Sequence, residues 1–525
     1  MKLSGLFIEE KPVEASFFDQ IFNSPEKGIQ LRAWIDEIDS YTEDPEIDGM
    51  IIDIGHVRAS LSKFGEMYDA LKRFKEANKK IYVYADQGIS NADYLLVSMA
   101  DEIYTHHMNG VDLKGFNLEV TYLRQLLDTL SIVPEVVRVS PFKTGPETIL
   151  NKTMSDEFRE NYGELLDDIY NTYIDDISTA KKWPTDRTIM TIDLGPYWDS
   201  QEAIEKELIT GTMFPDEFQT YIDNINDENI SMINWDDYDR SDKYNYSWKS
   251  NKKPKIAVIY AVGGIISGKS NPGPTGSSLM GDETIKKAIR QAREDDDIDA
   301  IVLRVDSGGG SALASDQMWR EIDLTTNNPD SLNNKPFIAS MSDVAASGGY
   351  YIACQADTII SYPTTVTGSI GVIGMGLNLS DLYKKIGINR EVIKRGEYSD
   401  LLTQSRQWTD EEREIQMETI KNFYTEFKDR VLEGRYPLFD RNPDKLDEVA
   451  LGRVWSGIEA QKNDLVDEIG GINESIALAK HMIGIDENTD IEVVEYPLLD
   501  KESFTNSSEN SELELILELM PDNIR

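Results

Sequence analysis

Ser347 is the residue whose neighbours best suit a nucleophile. It lies in the stretch AASGGYYIACQAD, residues 345–357, between two alanines and two glycines, and the apolar run after it predicts a helix over 350–356. A serine at a helix N-terminus lies beside backbone N–H groups that have no partner within the helix, and such donors can stabilise an oxyanion. The same pattern also suits a helix that packs tightly against a strand. This stretch alone therefore leaves both interpretations open.

A run of three glycines offers a second set of backbone donors. It belongs to RVDSGGGSA, residues 304–312, which follows an apolar segment that predicts a buried strand. Consecutive glycines after a strand end let backbone amides approach a ligand closely. No GK[ST] follows the run, so a nucleotide phosphate loop is not indicated. We expect the run to face the serine and to donate to the oxyanion.

A serine nucleophile needs a base, and histidine is scarce in this chain. The four histidines are His56, His106, His107 and His481, and none lies in the part of the second half around Ser347. A Ser-His-Asp triad is therefore not expected. His106 and His107 do not indicate a metal pair, because adjacent residues of a strand point to opposite faces and no carboxylate cluster has ligand spacing. We expect no metal and no organic cofactor.

An internal repeat suggests where the base lies. An alignment without gaps, at an offset of 256, joins residues 79–104 (KKIYVYADQGISNADYLLVSMADEIY) to residues 335–360 (KPFIASMSDVAASGGYYIACQADTII). The same offset joins EVVR at 135–138 to EVIK at 391–394. The chain therefore consists of two divergent copies of one domain.

The two copies differ at the positions where catalysis would need a serine and a lysine. At the offset of 256, Ser347 aligns with Asn91, and Lys143 of SPFKTGPE aligns with Ser399 of KRGEYSDLL. Such complementary loss is expected of two halves that share one active site. A lysine can act as general base when burial lowers its pKa to about 7–8. The serine would attack an amide carbonyl, and water activated by the lysine would release the acyl-enzyme.

Alternating strands and helices must position these residues. Short apolar runs, GMIIDI at 49–54 and AIVLRV at 300–305, are typical of strands buried on both faces of a parallel sheet. Apolar residues at helical spacing predict a helix over 281–294, and longer amphipathic helices are predicted over 155–182 and 409–434. Strand, helix and strand in succession indicate an α/β fold with right-handed crossovers.

The repeat divides the chain into four segments. We predict an N-terminal repeat domain over 1–225, a linker over 226–253, a C-terminal repeat domain over 254–500 and a loose tail over 501–525. The linker is polar and aromatic without clear periodicity, so we expect it to pack on the surface. Residues 267–280 are rich in glycine, serine and proline and predict a mobile loop.

The composition excludes some classes of partner. Against 53 lysines and arginines stand 95 aspartates and glutamates, a formal net charge of −42 in 525 residues. Such a surface repels nucleic acid and anionic lipid headgroups. Cys354 is the only cysteine, so no intrachain disulfide and no thiolate metal cluster is expected. No run approaches the roughly 20 apolar residues of a membrane helix, and the N-terminus does not resemble a signal peptide, so we expect the chain itself to be soluble.

Four motifs together resemble the long, duplicated members of the serine/lysine protease family S49, the signal peptide peptidase A type. They are MSDVAASGGYYIA (341–353), TVTGSIGVIG (365–374), RVDSGGGS (304–311) and GRVWSGIEA (452–460). The resemblance covers nearly the whole chain. It implies two tandem Clp-protease/crotonase-like domains, with the nucleophile in the second half and the lysine in the first.

The resemblance also implies roles for individual residues. The implied set comprises Ser347 as nucleophile, Lys143 as general base, the backbone amides of Gly309 and Gly348 as the oxyanion hole, and Ser369 as the residue that holds the lysine in place. Family members usually carry Ser-Pro-Gly-Gly where this chain has Ser-Gly-Gly-Gly at 307–310. The choice between Gly309 and Gly310 as donor therefore stays open.

By resemblance, the chain is expected to be an endopeptidase that cleaves unfolded, apolar peptides such as signal-peptide remnants. A homotetramer on the extracytoplasmic side of a membrane is also implied, attached through an anchor that this sequence does not contain. Two other functions stay open on the residues alone: a catalytically silent scaffold that binds peptides, and an acyl-CoA enzyme on the crotonase-like fold. Labelling of Ser347 by a serine-reactive acylating reagent would separate the protease from both.

Overall fold

The computed structural model of the chain describes residues 1–11, 28–225, 232–235, 238, 253–272, 278–327, 334–436, 439 and 442–497. Each half contributes a mainly parallel sheet with helices packed against it, which confirms the predicted α/β fold. No helix within these ranges is both long and apolar enough to span a membrane. The predicted tail over 501–525 lies outside the described residues.

The first half alternates strands and helices along its length. Its strands are β1 (Lys2–Ile8), β2 (Ile29–Gln30), β3 (Gly49–Arg58), β4 (Lys80–Ala85), β5 (Ile89–Ser90), β6 (Glu102–Thr105), β7 (Val111–Asp112), β8 (Val133–Arg138) and β9 (Gly211–Thr212). Its helices are α1 (Leu31–Glu43), α2 (Leu61–Glu76), α3 (Asn91–Val97), α4 (Arg124–Leu130), α5 (Glu147–Leu150), α6 (Asp156–Lys181), α7 (Thr185–Leu194), α8 (Ser200–Glu205) and α9 (Pro215–Ile225).

The second half repeats this alternation. Its strands are β10 (Lys255–Val262), β11 (Gly264–Ile266), β12 (Asn271–Pro272), β13 (Ser278–Gly281), β14 (Ile298–Ser307), β15 (Phe337–Ala346), β16 (Thr358–Ser361), β17 (Val366–Gly368), β18 (Ile373–Asn378), β19 (Val454–Ser456), β20 (Glu468–Ile469) and β21 (Glu492–Tyr496). Its helices are α10 (Asp282–Glu294), α11 (Ala312–Thr326), α12 (Gly348–Ala353), α13 (Ser380–Lys385), α14 (Asp410–Gly434), α15 (Pro443–Val449), α16 (Gly457–Lys462) and α17 (Ile472–Met482).

The two main sheets have related strand orders. In the first half the order is β2-β1-β3-β4-β6-β9, and every neighbouring pair is parallel. In the second half the order is β19-β17-β15-β14-β10-β21, and only the pair of β17 with β19 is antiparallel. Strand β14 is buried at most positions from Ile298 to Ser307, which suits a parallel strand covered on both faces. The strand predicted from AIVLRV is therefore confirmed.

The two halves are joined along an extended interface. Strand β8 of the first half pairs antiparallel with β18 of the second, with Arg138 opposite Ile373. Val258 and Val302 of the second half are buried in one hydrophobic core with residues of the first. Helix α2 approaches the second half so closely that a Cβ on Gly65 would lie 2.2 Å from the ring of Tyr362. The repeats therefore share core surface.

The helices predicted over 281–294, 155–182 and 409–434 are confirmed as α10, α6 and α14. The capping signal of α14 also forms. The side chain of Thr409 accepts from the backbone N–H of Glu412, and the side chain of Glu412 accepts from the backbone N–H of Thr409. This reciprocal pair satisfies two N–H groups that the first turn leaves without helical partners.

The prediction of a mobile loop over 267–280 is wrong at Asn271–Pro272 and at its C-terminal end, because these two parts form the antiparallel pair of β12 with β13. Strand β13 begins at Ser278 and pairs parallel with β11. Met280 is buried in the core of the second half, and burial of such a side chain stabilises by roughly 1.5–3 kcal/mol. Burial of Met280 therefore contributes to holding the end of this stretch in a strand.

Part of the predicted linker packs on the first half. Trp235 and Tyr238 lie edge-on against the ring of Tyr41, at centroid distances of 4.6 and 5.2 Å. Tyr41 belongs to α1. In the described part of the linker, aromatic residues therefore make the surface contact that its composition predicted.

Candidate active site

Ser347 lies where β15 ends and α12 begins. Its backbone has φ 56° and ψ −118°, a conformation that L residues rarely adopt. Its N–H donates to the carbonyl of Gly368 at 2.9 Å, and its carbonyl accepts from the N–H of Tyr351 at 2.9 Å. These bonds hold the turn in its strained conformation. A serine on a sharp strand-to-helix turn is well placed to present its hydroxyl to an incoming carbonyl group.

The glycine run lies directly against this serine. Gly309 has φ +91°, and a Cβ on it would lie 2.5 Å from the backbone N of Gly348 and 2.9 Å from Cβ of Ser347. A Cβ on Gly310 would instead meet the backbone of Ile265, with which Gly310 forms an isolated β-bridge. Gly309 is therefore the glycine that borders Ser347 and Gly348.

Lys143 reaches the same place from the first half. Lys143 follows β8 along the chain, and its side chain is buried. Its Nζ donates to the carbonyl oxygen of Ser369 at 2.7 Å and to Oγ of the same serine at 2.8 Å. No carboxylate among the described residues pairs with it. Burial lowers the pKa of Lys143 from the usual 10.5 to about 7. A large fraction of this amine is therefore uncharged near neutral pH.

Two glycines of the second half leave room for Lys143. A Cβ on Gly452, which has φ +76°, would lie 2.7 Å from the backbone N of Lys143 and 2.8 Å from its Cβ. A Cβ on Gly371 would lie 3.3 Å from Cδ of Lys143. Gly452 opens the GRVWSGIEA motif and Gly371 belongs to TGSIG. Both motifs therefore contribute to the burial that lowers the pKa of the lysine.

The end of β17 brings the serine and the lysine together. The carbonyl of Gly368 accepts a hydrogen bond from the N–H of Ser347. The carbonyl and Oγ of the next residue, Ser369, accept hydrogen bonds from Nζ of Lys143. Ser369 itself has φ 51°, and its N–H donates to the carbonyl of Arg453 at 2.7 Å. The structure thus places Ser347, Lys143, Ser369, Gly309 and Gly348 in one site.

A second buried lysine of the first half has a different environment. Nζ of Lys63 lies 2.8 Å from Oδ2 of Asp306 and also contacts the carboxylate of Asp343. Burial alone would lower the pKa of Lys63, but the carboxylates of Glu9, Asp343 and Asp306 raise it above its usual value. Lys63 therefore stays an ammonium and cannot act as a base.

The three residues Lys63, Asp306 and Asp343 were missed by sequence reasoning. A signal was present: Asp306 stands two positions before the glycine run, and Asp343 stands four positions before Ser347 in a mainly apolar strand. Carboxylates in buried strands need a cation or hydrogen-bond donors. The partner, however, belongs to the other repeat and could not be identified along the chain.

The positions that align with Ser347 and Lys143 carry neither functional group. Asn91, which aligns with Ser347, uses Oδ1 to accept the backbone N–H groups of Lys114 at 3.1 Å and Gly115 at 3.3 Å. Ser399, which aligns with Lys143, lies exposed and donates to the carbonyl of Gly396. Both residues have local structural roles. Of the two equivalent places, the one in the second half therefore holds the serine and the lysine together.

Comparison with known proteins identifies the family of the chain. The model of peptidase family S49 matches residues 73–226 and 330–486, once in each half. The chloroplastic serine protease SPPA of Arabidopsis thaliana is 32% identical over 483 residues, which cover 91% of this chain and 69% of that protein. Protease 4 of Haemophilus influenzae is 30% identical over 507 residues, covering 93% and 77%. An Enterococcus faecium relative with signal peptide peptidase SppA in its name is 30% identical over 247 residues, covering 47% and 67%.

Solved structures resemble single halves of the chain. A variant of the 1510-N membrane-bound stomatin-specific protease matches at 18% identity and TM-score 0.29, over 47% of this chain and 99% of that one. A ClpP1 variant from Listeria monocytogenes matches at 15% identity and TM-score 0.26, over 42% and 94%. The family match in each half confirms the predicted tandem duplication. This chain belongs to peptidase family S49 and is a serine protease.

Proposed function

We propose that this chain is an endopeptidase whose catalytic serine and lysine come from different repeats. Ser347 is the nucleophile, Lys143 the general base, and Ser369 holds the lysine. The backbone N–H groups of Gly309 and Gly348 form the oxyanion hole. The substrates are unfolded, apolar peptides such as the remnants of signal peptides.

The observation that carries this proposal is the environment of Lys143. A buried lysine with a structural role is normally paired with carboxylates, as Lys63 is with Asp306. Among the residues that the structure describes, Lys143 instead donates to the hydroxyl and carbonyl of Ser369 alone, and its pKa is lowered to about 7. Burying an amine without a carboxylate partner lowers the stability of the fold. A role as general base for Ser347 explains why a lysine occupies this position.

Acylation follows from this arrangement. The uncharged amine of Lys143 takes the proton of the Ser347 hydroxyl while Oγ bonds to the carbonyl carbon of the substrate. The carbonyl oxygen becomes an oxyanion, which accepts the N–H groups of Gly309 and Gly348. In the free protein the N–H of Gly309 makes a long bond of 3.2 Å to Oγ of Ser307. A charged acceptor forms a stronger bond and replaces it.

The tetrahedral intermediate then breaks down. The C–N bond of the substrate cleaves, and the leaving amine takes the proton from the Lys143 ammonium. Lys143 is again uncharged and removes a proton from a water molecule, whose oxygen attacks the ester of Ser347. The second tetrahedral intermediate releases the acid product, and the proton returns to Oγ of Ser347.

Exposed apolar side chains that lie close to the site residues along the chain support an apolar substrate. Leu313 follows the glycine run and is 61% exposed, and Met375 follows the lysine-binding Ser369 on β18 and is 58% exposed. Exposed apolar side chains next to a nucleophile can bind apolar residues of an extended peptide. The name of the Enterococcus faecium relative supports signal-peptide remnants as the source. Because such peptides remain at membranes, we place the activity at the extracytoplasmic membrane surface.

The test is hydrolysis of a fluorogenic peptide with an apolar residue before the scissile bond. Wild type is compared with Ser347→Ala and Lys143→Ala, and each variant is checked for unaltered folding by circular dichroism. We expect both variants to lose activity by a factor of at least about 10³. Retention of activity by Lys143→Ala would show that the base lies elsewhere. If wild type is inactive and its Ser347 does not react with a fluorophosphonate, the proposed catalytic function is wrong.

We also propose that copies of the chain associate head to tail into a homo-oligomer, such as the tetramer that the family resemblance implies. At the offset of 256, strand β8 corresponds to residues 389–394 and strand β18 corresponds to residues 117–122. Neither segment is in a strand, residues 389–394 are exposed throughout, and Ile393 is 90% exposed. Exposed backbone with apolar side chains favours pairing with a second copy. The same register would place Ile393 of one copy opposite Leu118 of the next.

A further inference from the structure

Strand β15 contains an irregularity just before the nucleophile. Its register with β14 pairs Val305 with Met341 and then Ser307 with Ala345, so that residues 342–344 stand opposite Asp306 alone. At the same place β15 changes neighbours on its other side, from β16 to β17. A bulge next to an active site bends its strand and redirects the residues that follow. Here those residues lead to Ser347.

Two carboxylates of the second half occupy this bulge. Oδ1 of Asp306 accepts the backbone N–H of Val344 at 3.3 Å, which ties the bulge back to β14. Asp343 lies within the bulge itself. Asp306 also precedes Ser307, whose Oγ donates to the carbonyl of Gly263 at 2.6 Å and accepts the N–H of Gly309. The bulge is thus continuous with the oxyanion loop on one strand and with the nucleophile on the other.

One cation of the first half joins both strands at the bulge. Nζ of Lys63, on α2, lies 2.8 Å from Oδ2 of Asp306, contacts the carboxylate of Asp343 and lies 3.4 Å from Oγ of Ser342. Its side chain is only 6% exposed. The remaining polar atoms that face Nζ are Oγ of Ser60 and Oε1 of Glu9, both at 3.5 Å.

The neighbouring charges do not replace Lys63. Glu9 is neutralised chiefly by Arg304, a fully buried guanidinium that donates to both of its oxygens at 3.0 Å. Arg304 also binds Glu66 and the hydroxyl of Ser340. Asp306 and Asp343 therefore depend on Lys63 for a compensating charge, since no other described cation contacts them. Without Lys63, two carboxylates would repel each other inside the bulge.

We propose that Lys63 is a positioning residue for catalysis, which binds the bulge of β15 from the other repeat and so aligns Ser347 with the oxyanion loop. The inference rests on the proposed function of Ser347 as nucleophile. It gives the first repeat a second contribution to the active site, besides Lys143. Lys63 acts only through Asp306 and Asp343 and does not touch the substrate.

The test is Lys63→Met, which keeps the length of the side chain and removes its charge. We expect kcat to fall at least tenfold while KM changes less than threefold, because the apolar binding surface is unchanged. Lys79→Met is the matched control: Lys79 is a buried lysine of the first half that binds the carbonyls of Tyr41 and Asp44. This control should keep the wild-type kcat.

Lys63→Met with wild-type kcat would overturn the proposal. If Lys63→Met does not fold, the double variant Lys63→Met/Asp343→Asn removes one of the repelling charges and is measured instead. A folded double variant with lowered kcat and unchanged KM supports positioning, whereas one with wild-type kcat shows that Lys63 serves stability only. Turnover by wild type in the same assay, and its loss in Ser347→Ala, tests the proposed function separately.

Discussion

Two buried lysines of the first half, Lys63 and Lys143, show how neighbours decide what an ammonium group can do. Lys63 contacts carboxylates and keeps its charge. Within the described ranges, Nζ of Lys143 donates to two neutral oxygen atoms of Ser369, and the amine loses its proton near neutral pH. Both side chains are nearly fully buried. The difference therefore comes from the partners and not from the extent of burial.

The rate of peptide hydrolysis should rise with pH through about 7 and then reach a plateau. Only the uncharged form of Lys143 can accept the proton of Ser347, and burial lowers the pKa of Lys143 to about 7. The measurement is kcat/KM between pH 5.5 and pH 9. Lys143→Arg serves as the control, because a guanidinium stays charged at every pH in this range; it should be inactive throughout. A profile with its midpoint near 10 would contradict the assignment.

Lys143→Met should stabilise the fold at neutral and acidic pH. The folded-state pKa of about 7 lies below the usual 10.5, so between these values the unfolded state binds more protons and wild-type stability rises with pH. Below pH 7 the full cost of burying the amine remains, at about 1.4 kcal/mol for each pKa unit. Melting temperatures at pH 6 and pH 10 test this. We expect the variant to exceed wild type by several degrees at pH 6 and by less at pH 10; an equal difference at both would contradict it.

At the scale of elements, the glycine run at 308–310 and the turn at Ser347 lie at the ends of neighbouring strands. Strands β14 and β15 are parallel neighbours, so the glycine run and Ser347 follow them at the same edge of the sheet. The packing is close enough that Gly309 has no space for a side chain beside Gly348. At Gly308, only one residue away, an added Cβ would meet no atom within 4 Å.

Gly309→Ala should therefore inactivate the enzyme while Gly308→Ala does not. At Gly309 an added Cβ would lie 2.5 Å from the backbone N of Gly348 and the residue would keep φ +91°, so both oxyanion donors would shift. Loss of one such donor costs about 10²–10³ in kcat. Steady-state kinetics of the two variants, with melting temperatures, provide the measurement. Equal activities of the two variants would remove Gly309 from the oxyanion hole.

At the scale of the whole molecule, the two copies differ in the pairing of the segments that correspond to β8 and β18. Within one chain, β8 of the first half pairs with β18 of the second half. The equivalent segments, 389–394 and 117–122, remain without strand partners among the described residues. A contact between unlike surfaces of identical chains generates a ring if the rotation closes.

The double variant Leu118→Cys/Ile393→Cys should form disulfides between copies. The single native cysteine, Cys354, is fully buried and does not interfere. We expect oxidation to give a ladder of covalent multimers on a denaturing gel. Met190→Cys/Ile393→Cys is the control, since Met190 is exposed but lies outside both segments. Multimers in the control, or only monomers in the test variant, would contradict head-to-tail pairing.

The sequence by itself determined the duplicated α/β plan, because apolar periodicity and caps are local signals. The long helices begin at capping residues such as Ser155 and Thr409, as expected. The site residues also came from local motifs and from the alignment of the two copies, which pointed to Lys143 through its counterpart Ser399. The predicted end of the loop was wrong, because residues Ser278–Gly281 form a strand. Burial of Met280 in this strand depends on neighbours in space that the sequence does not specify.

Only the tertiary structure decided which charges and donors work together. It distinguished Gly309 from Gly310 by the atoms each approaches, and it revealed Lys63 beneath the strand that leads to Ser347. It also supplied the low pKa of Lys143, which no stretch of sequence contains. The physical reason is the same in each case: desolvation and ion pairing depend on distances in space between residues that the chain keeps far apart.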